Sequence, residues 1–275
     1  MRHHGHTMYR NVTLLLTALL GLASPVLAVD GVIEINQTRA LAGGVTASDT
    51  EGFPVTIDAP GSYRLTGNLE VAATAVHAVE ITADNVTLDL NGFAIVGPGS
   101  GSGSGVVGGS PRENITVVNG TVRDMGASGV YLGDRARVER VRTLNNGGTG
   151  IYAWNDSTVS GNTAYNNTGD GIYASNGSTV TGNTANSNGD DGIRGGFGIT
   201  VTGNTVYNNG GDGISTVSGS TVTGNTARNN TGYGLYLLGS YSGYANNVLT
   251  GNTLGTVSGG IQMGTNVCGA DTTCP

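Results

Sequence analysis

The chain has 275 residues, 49 of them glycine, with 12 Lys+Arg against 19 Asp+Glu for a formal net charge of −7. An acidic surface repels phosphate backbones and excludes nucleic acid as a partner. Every basic residue is an arginine, which excludes Schiff-base and lysine-base chemistry, and only His77 lies outside the N-terminal His3, His4 and His6.

Residues 1–28 read as an export signal. Arg2 and Arg10 give a positive start, residues 12–22 form an apolar run too short to span a bilayer, and Val26-Leu27-Ala28 fits the small-residue cleavage rule. Cleavage after Ala28 implies a secreted protein, periplasmic or extracellular. It leaves no membrane segment and moves the formal charge to −9. Residues 29–60 do not follow the later repeat and are assigned to an N-terminal cap, since the first coil of a stack exposes unpaired strand edges. Within them, residues 33–41 are expected to form a short amphipathic helix or strand. Residues 61–96 begin the stack, with Leu65, Leu69, Val86, Leu88 and Leu90 as core. His77 lies in an Ala/Val-rich stretch there and reads as structural, not as the base of a triad. The run 97–105, GPGSGSGSG, is a flexible loop between coils.

Residues 113–142 hold looser coils, with Ile115, Val117, Val122, Val130, Val138 and Val141 alternating inward. Arg135, Arg137, Arg140 and Arg142 cluster with Asp134 and Glu139. They read as solvated charges on outer turns, with a substrate-carboxylate site as the alternative. From Gly150 one sentence is written four times. Gly-Ile opens at Gly150, Gly171, Gly192 and Gly213, and Gly-Asn-Thr recurs at Asn162, Asn183, Asn204 and Asn225, both in steps of 21 residues. A fixed period of this size marks a stacked repeat. Apolar residues are few, small and arranged in short alternating patches between Asn, Gly, Ser and Asp. One coil is therefore about three short strands joined by turns. The Asn column, and a second one at Asn146, Asn167, Asn188, Asn209 and Asn230, can pass amide hydrogen bonds from coil to coil. After Gly234 the register is read as stretching, with Gly-Asn-Thr returning six residues late at Asn252 and Gly260-Ile261 opening a last coil. Cys268 and Cys274 suggest a disulfide in the tail of an exported protein.

These repeats resemble those of right-handed parallel β-helix proteins, the pectin-lyase-like superfamily. The stretches 60–69 (PGSYRLTGNL) and 85–95 (NVTLDLNGFAI) are similar to the first coils of many secreted bacterial members. The expected fold is all-β, a right-handed parallel β-helix of about nine or ten coils over residues 61–267, with residues 268–275 as the tail. A 21-residue period disagrees with left-handed hexapeptide coils. The resemblance implies a range of activities, because this fold hosts lyases, hydrolases, epimerases and adhesins.

Two files of residues carry candidate chemistry. Tyr131, Tyr152, Tyr173 and Tyr236 share one outward column with Arg194 and Ser215. Such rings can pack on one another or stack on successive sugars of an extended polysaccharide. Asp170, Asp191 and Asp212 each precede the Gly of Gly-Ile, with Asp190 adjoining. They can cap turn amides or, as hard oxygen donors, hold Ca²⁺. In pectate-lyase-like enzymes acidic residues hold Ca²⁺ against an acidic sugar while an arginine removes the proton α to the carboxylate. The resemblance makes Asp190, Asp191, Asp212 and Arg194 the catalytic candidates and Asp170, Asp191 and Asp212 the metal candidates. Galacturonan hydrolases of this fold carry paired Asp, Gly-His-Gly and Arg-Ile-Lys; Asp190-Asp191 imitates the first and the others are absent, which disfavours that activity. Three functions fit: a secreted scaffold binding extracellular or cell-wall polysaccharide without a required cofactor, a Ca²⁺-assisted lyase or epimerase on uronate polymers, and a structural or adhesive element without ligand. The regularity of the repeats favours the first.

Overall fold

The computed structural model describes residues 31–269, together with Met1 and Cys274; the remainder of the export signal lies outside the described residues. One coil explains the rest. In the second copy three strands, Ile172–Ala174, Thr179–Thr181 and Thr184–Asn186, are each three residues long. The first points two side chains inward, Ile172 and Ala174; the others point one each, Val180 and Ala185. Between the strands the chain turns through left-handed residues, Gly177, Gly182 and Ser187, with φ of 68°, 63° and 57°. Glycine and asparagine adopt this region most readily. The third corner is accordingly Asn145, Asn166, Asn208 and Asn229 in the other coils.

The residue after each left-handed corner is polar and buried: Ser178, Asn183 and Asn188. These residues form ladders along the axis. Asn162 donates from its backbone N–H and its Nδ2 to Asn183 Oδ1, at 2.8 and 3.0 Å, and from Nδ2 to the Val138 carbonyl at 2.9 Å. The pattern continues through Asn204, Asn225, Asn247 and Asn266. A second ladder runs through Asn146, Asn167, Asn188, Asn209, Asn230 and Asn252. Turn amides that burial would otherwise orphan are thereby paired. A shorter ladder joins Ala136, Ser157 and Ser178.

All strand pairings are parallel. The Gly-Ile strands stack into one ten-stranded sheet from Val55–Ile57 to Gly255–Gly259. The other two strands of each coil form ladders that merge into a 19-stranded sheet where Thr116–Arg123 and Arg137–Leu144 run through the corner unbroken. The fold is an all-β solenoid of about ten turns with 21 residues per turn in its regular part. Its core is a column of small and β-branched residues: Ile151, Ile172, Ile193, Ile214 and Leu235 on one side, Val159, Val180, Val201 and Val222 facing them. The third copy breaks this pattern twice, and the two breaks compensate. Ile199 takes the serine position, and Gly195 takes the place of Ala174, where an added Cβ would lie 1.8 Å from Ile199 Cδ1.

Three readings of the sequence change at the ends. The ladders begin before residue 61: Val32–Ile35 pairs with Gly61–Leu65, and Val55–Ile57 with Val79–Ile81. Between them a helix, Gln37–Ala42, is N-capped by Asn36, and the Gln37 side chain bonds both backbone groups of Glu70 as a strand would. Near the other end, Gly-Asn-Thr at Asn252 is not a late return of the first Asn column. Asn252 accepts from Asn230 and belongs to the second column, while Asn247 continues the first 22 residues after Asn225. One residue is inserted, not six. Ile261 likewise pairs at Gly243, and the Gly-Ile column continues instead at Val257 opposite Leu235. Cys268 and Cys274 are bonded, with Cα atoms 5.4 Å apart. Among the described residues no helix is long and apolar enough to cross a membrane.

Candidate functional site

The ten-stranded sheet presents one outward residue per rung, in register: Val107, Tyr131, Tyr152, Tyr173, Arg194, Ser215 and Tyr236. Neighbouring rungs lie about 4.8 Å apart, which is also the spacing of stacked rings. Tyr131 and Tyr152 stack at 4.8 Å between centroids, and Tyr152 and Tyr173 at 4.4 Å with 12° between planes. Tyr131 is backed by Gly109, where a Cβ would lie 2.5 Å from its ring. The faces of Tyr131 and Tyr152 are therefore filled by protein, and sugars cannot stack on each ring in succession. The other face of Tyr173 is turned toward the Arg194 rung instead of another ring. Tyr236 stands three rungs further on, stacked with Tyr233 at 5.8 Å. Between Tyr173 and Tyr236 lies a gap two rungs wide, with exposed Arg194 rising over buried Ser215.

Trp154 was not marked by the repeat, because it occurs once. Its Nε1 donates to the Tyr131 hydroxyl at 3.2 Å, and its ring sits 6.3 Å from Tyr152. It walls one margin of the sheet. Loss of water on burial, helped by the neighbouring Tyr173 and Tyr131, pushes the Tyr152 phenol up to about 12, against the pull of Arg194. Beside Tyr131, Glu80, Arg112 and residues 109–111 line an open groove of about 390 Å³.

The acidic file forms the other margin. Asp170 and Asp191 are buried, and each carboxylate accepts the backbone N–H of its counterpart one coil on, Asp191 at 3.1 Å and Asp212 at 2.7 Å. Asp212 accepts from Tyr233 N–H at 2.6 Å. The file thus caps turn amides, axially rather than locally. Burial raises Asp170 to about 7, helped by Asp191 and Asp190, and raises Asp191 to about 6; Arg194 pulls both down. Burial also raises Asp212. Asp190, Asp191 and Asp212 line an open groove of about 410 Å³ with Gly210, Gly211, Thr231 and Leu254.

The three metal candidates do not form the tightest set. Asp170, Asp190 and Asp191 bring carboxylate oxygens within 4.8 Å of one another, with exposed Asp190 taking the place of Asp212. Two oxygens bound to one Ca²⁺ at about 2.4 Å sit at most about 4.8 Å apart. Three hard anionic donors inside that span fit calcium, and the ion would offset their mutual repulsion. The arginines of the cluster are solvated and ion-paired: Arg135 pairs with Glu113, and Arg137 and Arg140 with Glu139. His77 Nδ1 accepts the Ser104 backbone N–H at 3.0 Å and has a structural role.

Fold and margins together define a right-handed parallel β-helix with an aromatic and acidic outer face. The chain belongs to the right-handed beta helix region family, whose model matches residues 104–254. No curated protein matches the sequence. Among solved structures it is similar to the A-module of the Azotobacter vinelandii mannuronan C-5 epimerase AlgE4, at TM-score 0.56 and 12% identity over 89% of each chain. The Dettilon tailspike protein gives 0.53 and 17% over 73% of this chain and 45% of that one. A double mutant of the periplasmic alginate epimerase AlgG gives 0.51 and 13% over 86% and 82%. At these identities the likeness is one of fold.

Proposed function

We propose that the protein is a secreted scaffold that binds extracellular or cell-wall polysaccharide along its ten-stranded sheet. The observation that carries this reading is the gap between Tyr173 and Tyr236. It puts an aromatic ring, an exposed guanidinium and a serine in one line along the axis. Aromatic faces take the apolar side of a sugar ring, and arginine supplies planar paired donors. The cap assigned to residues 29–60 already contributes Val32–Ile35 and Val55–Ile57 to the ladders, so the solenoid is taken to begin there and not at residue 61, with residues 268–275 as its tail. Export through residues 1–28 agrees with a disulfide, which persists in oxidising compartments. The neighbours include a mannuronan C-5 epimerase and a tailspike, whose own activities bear on this chain only as a guide to which glycans to try.

A second reading is favoured by the acidic margin: a lyase or epimerase on uronate polymers, using Asp190, Asp191, Asp212 and Arg194. Asp170, Asp190 and Asp191 would hold Ca²⁺, which supplies positive charge against a substrate carboxylate. Arg194 would orient that carboxylate. Asp212 lies outside that trio, lines the same groove and is raised by burial, which leaves it the carboxyl available to move a proton.

A glycan array beside an assay for unsaturated uronides, each with and without Ca²⁺, separates the readings. Array signal without product supports the scaffold, and Tyr173→Ala with Arg194→Ala then weakens binding about tenfold or more, a loss of about 1.4 kcal/mol. Product promotes the enzyme. Neither signal leaves a structural element.

A further inference from the structure

The last two coils depart from the repeat on their outer surface. Along the strand after the first corner Thr158, Thr179, Thr200 and Thr221 stand in register, and the file then turns to Gly243 and Ile261. Along the next strand Thr163, Thr184, Thr205 and Thr226 give way to Val248 and Val267. Met263, two residues beyond Ile261, packs over Gly243, where an added Cβ would lie 2.4 Å from its Cε. Tyr241 and Ile261 line an open cavity of about 260 Å³ with Gly239, Ser240 and Gly260, and Leu238 stands just before it in the chain. Leu238, Tyr241, Val248, Ile261, Met263 and Val267 are each more than a third exposed. In the coils below, exposed large apolar residues stand singly, at Leu41, Tyr165 and Phe197.

The same coils carry no charge. From residue 229 to residue 270 the sequence has no acidic residue, no arginine and no proline, in a chain of formal charge −7. Among the described residues the nearest charges, Arg228 and Asp212, lie two rungs below the last strands, about 10 Å away. The strand Gly255–Gly259 ends the ten-stranded sheet. It lacks the charge or proline that normally keeps an open edge from pairing. The opposite end of the stack is different, with exposed Glu34, Glu51 and Glu70 beside Arg39 and Arg64.

We infer that the last two coils dock on the same two coils of a second copy, tail to tail, in a two-fold dimer. The six side chains expose roughly 650 Å² at ordinary side-chain sizes, at the upper limit of patches on monomers and near the roughly 800 Å² that each partner of a stable complex buries. Taking that area out of water drives the association. Charge selects the partner. Two acidic chains repel each other elsewhere, but across this contact their nearest described charges stand about 20 Å apart, beyond the Debye length of about 8 Å at physiological salt. The charged first coils offer no neutral apolar match, so the patch finds its complement in itself. A two-fold contact of that kind closes at two chains. The inference is independent of the polysaccharide reading, which uses the gap between Tyr173 and Tyr236.

The test is sedimentation velocity on the exported protein over a wide range of concentration. The expected result is a single step from the mass of one chain to that of two, kept in about 0.5 M salt. Ile261→Thr with Val267→Thr restores at both positions the residue that the repeat carries there, so the strands are kept while the dimer weakens about tenfold or more. Phe197→Thr, exposed on a corner of another coil, leaves the dimer unchanged. Circular dichroism confirms that each variant is folded. A chain that stays monomeric throughout overturns the inference, and so does a dimer that the threonine pair leaves intact. Mass that grows past two chains assigns head-to-tail stacking and overturns it equally. So does a dimer that salt dissolves, since that contact would rest on charges which these coils lack.

Discussion

At Asp170 two opposed effects act on one carboxyl group. A backbone N–H from the next coil favours its charge, while burial and the neighbouring carboxylates disfavour it, and burial prevails. The folded-state pKa of about 7 stands above the ordinary 3.8, so the folded chain holds a proton that the unfolded chain releases. The contribution of this group to stability is full below about pH 4 and is lost as pH rises through about 7. Asp170→Asn, which still accepts the N–H, is therefore expected to be more stable than the wild type by about 4 kcal/mol at pH 8 and nearly equal to it at pH 4. Urea denaturation at both pH values measures this, and an equal difference at the two contradicts it. If the acidic trio holds calcium, millimolar Ca²⁺ raises the pH 8 stability of the wild type and leaves Asp190→Asn unchanged.

The strand and its corner are the next scale. Each strand contributes one or two buried side chains, so the volume of a coil is balanced over very few atoms. Gly195 and Ile199 show the balance: one residue grew where the other shrank. Gly195→Ala alone is expected to cost about 2 kcal/mol through overpacking. Adding Ile199→Ser recreates the Ala174 and Ser178 pairing of the coil below and should recover most of the loss. A double-mutant cycle by chemical denaturation gives the coupling, expected above about 1 kcal/mol; additive effects contradict the compensation. The asparagine corners are less forgiving. Asn183→Ala removes the acceptor of Asn162 N–H and Nδ2 and the donor to Val159 O, and is expected to cost about 3 kcal/mol.

Taken whole, the molecule is a one-dimensional stack in which each coil meets only its neighbours. Deleting residues 183–203 joins Gly182 to Asn204 and passes the ladder directly from Asn162 to the next asparagine. The shortened chain is expected to keep its far-ultraviolet dichroism, to melt at lower temperature and to lose Arg194 together with the glycan binding proposed for it. Deleting residues 183–200 instead puts every later side chain out of file and should leave the chain unfolded. Melting curves of the two distinguish a true stack from a fold held by its ends.

The files of like residues were legible because the covalent period sets which residue lies above which: Ile172 over Ile151, Asn183 over Asn162, Tyr173 over Tyr152. Where the chain repeats a triplet off the period, at Asn252, local sequence misled, since only the hydrogen-bonded partner shows which ladder a residue joins. Trp154 left no periodic trace at all. Tertiary structure alone decided that the tyrosines fill one another's faces, that Asp190 and not Asp212 completes the carboxylate trio, and that two aspartates are buried. The period fixes vertical neighbours through the backbone. Ring orientation and loss of water depend instead on how the corner one coil on covers the side chain, and that is set by packing in space.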